Sequence, residues 1–197
     1  MTCNRCTSHG LSFAQPFSPS DFIVGDPSSP VWIIGLNPKT NDQINILDST
    51  EKLRAYFEDF TSIHPYFRDF KNVSPKLFDA LGKKNGVAHT DLVKCHSKEW
   101  FPTTAGMRDS IVSNCSEYLI NQIETHKPRI LFCNGADVCK FMIQMFVPPD
   151  GFETYYKVTK SDFSFWVVLS GFIGRIDNYS KRRLGREIEA LLEQEKC

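Results

Sequence analysis

No run of this 197-residue chain approaches the about 20 consecutive apolar residues that a bilayer-spanning helix needs, which excludes an integral helical membrane protein. Nor does it open on a basic segment leading into an apolar one; it begins Met1-Thr2-Cys3, and we expect a soluble, unexported, cytoplasmic protein, nucleoid-associated in a bacterial cell. Excess charge is missing too: 23 basic and 23 acidic residues leave a net charge of +0, so no global positive field draws the chain to nucleic acid. Such a partner has to be met by local groups. Internal repeats and low-complexity tracts are absent, which excludes a solenoid or a disordered tail as the organising theme.

What remains is a chain with 41% hydrophobic and 13% aromatic residues, enough for one domain with a sizeable core and short for two. We expect a single domain over residues 1–197, and a monomer. Seven cysteines are an odd number for a disulfide framework. Without a leader they point to a reducing compartment, where close-set cysteines more often bind metal. The basic run Lys181-Arg182-Arg183 with Arg186 reads as the solvated face of a helix.

Residues 1–30 are rich in Ser, Pro and Gly with little periodic apolar character, and read as an irregular arm whose order needs an anchor. The apolar run Val31-Trp32-Ile33-Ile34-Gly35-Leu36 suits a strand buried on both faces, halted by Asn37-Pro38. Similar runs at 86–93, 130–133 and 165–169 give four buried strands in all, each ending in a polar loop. Between them, Ile111, Cys115, Leu119 and Ile123 recur at helical spacing within 108–126, stopped by Pro128. Further helices are expected at about 49–59, at 74–81 with Ser74 capping and Pro75 in the first turn, at about 136–145, and at 179–195. Strands alternating with helices predict a three-layer α/β/α fold around a four-stranded parallel sheet. Ligands of such sheets sit beyond the carboxyl ends of the strands, which singles out residues 37–42, 91–100, 134–135 and 170–178.

With those loops placed, the chain resembles the uracil-DNA glycosylase superfamily, most closely its iron–sulfur branch, family four. The resemblance rests on an ordered set: Cys3-x-x-Cys6, Gly35-Leu36-Asn37-Pro38, Asp91-Leu92-Val93-Lys94-Cys95, Cys115 on the next helix, and Lys127-Pro128-Arg129-Ile130-Leu131. It implies a DNA partner, extrusion of a base and hydrolysis of its N-glycosidic bond to leave an abasic site. It also implies a four-iron, four-sulfur cluster on Cys3, Cys6, Cys95 and Cys115 that pins the arm. Thiolates are what such a cluster requires. Zinc also accepts four thiolates, and the bland alternative is a core cysteine at Cys115 beside a loose Cys3-Cys6 terminus.

The chain departs from the family at two places. Asp91 stands where the family places Asn to read the flipped base, and Ser170-Gly171-Phe172-Ile173-Gly174-Arg175 stands where it has His-Pro. His64-Pro65 lies between the first two strands and cannot substitute by position. A carboxylate offers only acceptors, which suits the amino group of cytosine better than uracil O4. The expected substrate is therefore a cytosine-type or modified cytosine base, with defence against viral DNA as one setting. Uracil excision in repair, and a catalytically inactive DNA-binding relative, are the alternatives. For the chemistry, Asn37 would orient a water, and Asp42 would act as base or stabilise charge on the sugar. Ser170 and Arg175 would meet the base or a phosphate. An aromatic should stack on the base; Phe60, Phe67 and Phe70 lie in the right stretch, and the sequence does not choose among them. The other expectation for Asp91 is a turn cap, or a pair with Lys94 or Arg108.

Overall fold

The computed structural model describes residues 3–38, 48–59, 61, 63–97 and 105–194. Asp42 and Phe60 lie outside the described residues. The expected strands form as β1 (Val31–Gly35), β2 (Val87–Asp91), β3 (Ile130–Asn134) and β5 (Ser164–Ser170). A strand that the sequence pattern did not announce, β4 (Tyr155–Thr159), joins them in the order β2-β1-β3-β5-β4. The sheet is thus five-stranded and mixed rather than four-stranded and parallel, because β4 runs antiparallel to β5. The physical reason is local. Residues 160–163 make a tight return, closed by Lys160 N–H on the Phe163 carbonyl, and a hairpin of this kind needs no crossover helix. As an edge strand β4 buries only Tyr156 fully, so its short Tyr-Tyr-Lys-Val-Thr run lacks the continuous apolar signature of its neighbours.

Helices cover both faces. Among the described residues these are α1 (Thr50–Ala55), α2 (Pro65–Arg68), α3 (Phe70–Val73), α4 (Pro75–Asp79), α5 (Ala105–His126), α6 (Ala136–Met145) and α7 (Asn178–Gln194). The Ser74 hydroxyl caps α4 by accepting from Leu77 N–H at 3.1 Å, with Pro75 at the first turn. The four apolar positions read on α5 are all buried, and the helix ends before Lys127, whose positive φ precedes Pro128. On one face Phe70, Val73, Leu77 and Ile188 pack over Val31, Ile33, Val87 and Phe132. There α7 approaches α3 so closely that a Cβ at Gly185 would stand 1.9 Å from the Val73 carbonyl. The basic run on α7 is not wholly solvated: Lys181 is buried and its ammonium reaches Asp69 at 3.4 Å.

The arm is irregular, as expected, with short 3₁₀ turns at Thr7–His9 and Pro19–Asp21. Apolar anchors hold it. Phe13, Phe22, Ile23 and Val24 are buried in the core, and Val24 pairs its backbone with His89 along the outer edge of β2.

Candidate active site

Sheet register sets the geometry. Gly35 pairs with Asp91 and Asn134 with Ser170, so the last residues of four adjacent strands form one rim at the carboxyl end of the sheet. Beyond the rim, parallel pairing continues into the loops: Leu92 N–H donates to the Gly35 carbonyl and Val93 N–H to that of Leu36. Asn37 Nδ2 then donates to Ser97 Oγ at 2.6 Å. That bond fixes the amide, whose Oδ1 is buried and has no partner among the described residues. An acceptor held in this way can take a hydrogen from water.

Asp91 is 5% exposed. Its carboxyl lies over Gly35, where a Cβ would stand only 2.3 Å from Oδ1, so glycine makes the space that the acid fills. Burial raises its pKa well above the usual carboxylate range, with partial opposition from the Lys94 charge. Neither pairing expected for the carboxyl forms. Lys94 donates instead to the backbone carbonyl of Asp91, and Arg108 faces Asp137 at 3.8 Å.

Lys94 is 0% exposed. Its other two hydrogens go to Thr90 Oγ1 and Gln122 Oε1, each at 2.7 Å. Three acceptors match the three protons of an ammonium. Gln122 Nε2 donates in turn to the arm carbonyls of Ser20 and Phe22, so one buried network ties arm, α5 and β2 together.

Three rim residues received no individual role from the sequence, although Asn134 and Phe172 lie in loops it singled out. Asn134 donates through Nδ2 to Tyr66 Oη and accepts at Oδ1 from Ile173 N–H, both at 2.9 Å, which joins α2 to the loop after β5. Tyr66 stacks on exposed Phe172 with ring centres 6.1 Å apart and meets His89 edge-on at 5.6 Å. The available signals were Asn134 ending an apolar run and Tyr66 following His64-Pro65, and neither has a fixed spacing from the other motifs. Phe67 and Phe70 are buried in the core, and among the described residues Tyr66 and Phe172 present aromatic faces at the rim.

Ser170 ends β5 with its hydroxyl donating to the Gly171 carbonyl at 2.8 Å, which leaves only lone pairs for another group. Arg175 is exposed on the loop that follows, where its N–H closes a turn on Phe172.

Cys3, Cys6, Cys95 and Cys115 converge from the arm, the loop after β2 and α5. Hydrogen bonds link the Cys115 sulfur to those of Cys95 and Cys6, and Lys94 N–H also donates to it. Together these pull the Cys115 thiol below its ordinary value, while the same contact and burial push Cys95 up. Around them Tyr118 Oη donates to Cys3 Sγ at 3.3 Å and Asn114 Nδ2 to Cys6 Sγ at 3.6 Å. Among the described residues no group of three or more His, Cys, Asp or Glu is arranged to hold a single metal ion.

The family model for the uracil DNA glycosylase superfamily matches residues 22–171. The chain belongs to that superfamily. The match runs from the end of the arm through all five strands and takes in Asn37, Asp91, Cys95, Cys115 and Ser170; Cys3, Cys6 and Arg175 fall outside it. No curated protein matches the chain. Members of the uracil DNA glycosylase superfamily generally act on DNA as glycosylases. No helix among the described residues is long and apolar enough to cross a membrane.

Proposed function

We propose that this member of the superfamily is a monofunctional DNA glycosylase that everts a cytosine-type base, hydrolyses its N-glycosidic bond and leaves an abasic site. One observation carries the substrate reading: a buried acid, Asp91, occupies the rim beside the hole left by Gly35. As a carboxylate it accepts from an exocyclic amino group; when protonated it can also donate to the ring nitrogen beside that group. Asn37 orients the attacking water through Oδ1, which has no partner among the described residues, and Asp42 assists as base or by meeting positive charge on the sugar. Tyr66 or Phe172 supplies the stacking face, and Arg175 a phosphate or base contact. Strand cleavage through a Schiff base is not expected of Lys94, whose three hydrogens are all engaged. A modified cytosine as substrate would make defence against viral DNA the biological setting.

A specific observation also favours uracil as a second reading. Burial holds part of Asp91 in the protonated form, and a neutral carboxyl presents one donor and one acceptor as an amide does. Incubating the protein with duplexes that carry uracil, cytosine or C5-modified cytosines, and scoring abasic sites, separates the two. Release of uracil alone rejects the cytosine reading, and no release from any duplex rejects the enzyme.

The four cysteines fit a four-iron cluster in donor type, in convergence and in the Tyr118, Asn114 and Lys94 donors around the sulfurs. When bound, the cluster staples the arm to α5 and to the loop after β2. Iron analysis with visible absorption tests this, and zinc without iron would assign the site to zinc.

A further inference from the structure

We propose that His89 is the positioning residue for Asp91: its Nε2 takes the Oδ1 edge of the carboxyl and so fixes the hydrogen-bonding face that Oδ2 shows to an everted base. The inference rests on the glycosylase reading above and deepens it. His89 is 6% exposed, and neither ring nitrogen has a hydrogen-bond partner among the described residues. A buried donor without a partner is costly, so this ring belongs to an arrangement that something at the site completes. The edges and faces of Tyr66 and Phe67, with ring centres at 5.6 and 5.0 Å, hold its plane. Its Nε2 stands 3.7 Å from Asp91 Oδ1. Both atoms border the space over Gly35, lying 2.9 and 2.3 Å from the position a Cβ would take there.

That pair is not an ion pair with a cationic ring, since burial lowers the His89 pKa to about 3 and the imidazole is neutral. A neutral imidazole has one N–H. With no other acceptor in reach among the described residues, the tautomer that carries it on Nε2 satisfies ring and carboxyl together when they close by a few tenths of an ångström. The other groups facing Asp91 do not do this. Lys94, from the following loop, holds the backbone carbonyl; Tyr66, from α2, is engaged with Asn134 and kept un-ionised by burial; β1 and β3 present Gly35 and Asn134, both uncharged. Donation to Oδ1 favours the carboxylate and leaves Oδ2 an acceptor. His89 therefore tilts the pocket toward bases with an exocyclic amino group. Without it Asp91 takes up a proton more readily and tolerates a carbonyl at the same place on the base.

The test compares the full chain with His89→Phe, which removes the donor, and His89→Gln, which keeps an N–H on a different scaffold; His89→Leu serves as the donor-free variant should the Phe ring not pack. Carbon-13 NMR follows the titration of the Asp91 carboxyl, assigned with Asp91→Asn, and single-turnover rates are measured on duplexes that differ only in cytosine or uracil. In the donor-free variant the Asp91 midpoint should rise by about one pH unit, and the cytosine-to-uracil rate ratio at neutral pH should fall about tenfold. His89→Gln should stay near the wild type in both. An unmoved midpoint, or a Gln variant that behaves as the donor-free one, overturns the proposal. Release of neither base by the wild type would reject the glycosylase reading instead, and the titration would still judge the His89–Asp91 pair.

Discussion

The two faces of β2 handle buried polar groups in opposite ways. On one, Thr90 donates to the Phe22 carbonyl, and Lys94 and Gln122 complete a network in which the ammonium has three acceptors. On the other, His89 has two ring nitrogens without partners among the described residues, Asp91 is ionisable and buried, and Asn37 just beyond the rim has a bare carbonyl. A satisfied network rigidifies, whereas an incomplete one costs stability unless something else completes it. The strand thus fixes its register on the arm side and offers its unpaired groups on the other, where a base and a water would supply what is missing.

The comparison breaks most severely on the satisfied side. Lys94→Met strips hydrogen bonds from Thr90, from the Asp91 carbonyl and from Gln122 inside the core, and should cost about 3–5 kcal/mol in denaturant unfolding. A loss below about 1 kcal/mol would mean that the ammonium is not what locks the arm to β2.

On the incomplete side the effects should fall on rate rather than stability. Asn37→Ala removes the acceptor proposed to hold the water and should slow single-turnover base release about 100-fold, equivalent to about 2.7 kcal/mol, with a much smaller change in unfolding. Gly35→Ala is the exception: the added methyl occupies the space of the Asp91 carboxyl, so it should slow release and also cost about 1–3 kcal/mol of stability through overpacking. Equal losses of stability and rate in Asn37→Ala would place that residue among the structural ones.

Much of this was legible in the chain. Val31 to Leu36 and Ile130 to Cys133 are apolar at every position because helices cover both faces, and α5 showed its buried stripe through Ile111, Cys115, Leu119 and Ile123. β4 was not legible, since an edge strand with one fully buried residue leaves no continuous apolar run. Nor were the short helices α2 and α3, four residues each, too brief for a 3.6-residue period to declare itself. Asp91 was found through its place in an ordered motif set. His89, two positions earlier on the same face, was not, because a lone histidine in a strand resembles any core residue until its neighbours are known. Lys94 was read as a motif residue and a candidate partner of the Asp91 carboxyl; only the fold shows that Gln122, 28 residues on, lies against it.

A graded effect, read per pH unit, separates His89 from Asp91. The lowered His89 pKa means that the unfolded chain takes up a proton near pH 6.5 that the folded ring refuses until about pH 3, so this residue's contribution is intact above about 6.5 and is lost as pH falls through that window. Asp91 has the opposite sign. Its raised pKa makes the folded state hold a proton that the unfolded chain releases near about 3.9, so its contribution is present at acid pH and is lost as pH rises toward the folded midpoint. Between about pH 4 and 6.5 the two slopes oppose, and stability in the wild type should change little on their account. Asp91→Asn should uncover the His89 slope, with stability relative to wild type falling by up to about 1.4 kcal/mol for each unit of acidification. His89→Phe should uncover the reverse slope, with relative stability falling as pH rises. Urea unfolding at half-unit intervals reads both as differences from wild type, which cancels the titration of shared groups apart from Lys94, whose charge interacts with that of Asp91. Parallel pH profiles for the two variants would show that ring and carboxyl do not share one desolvated site.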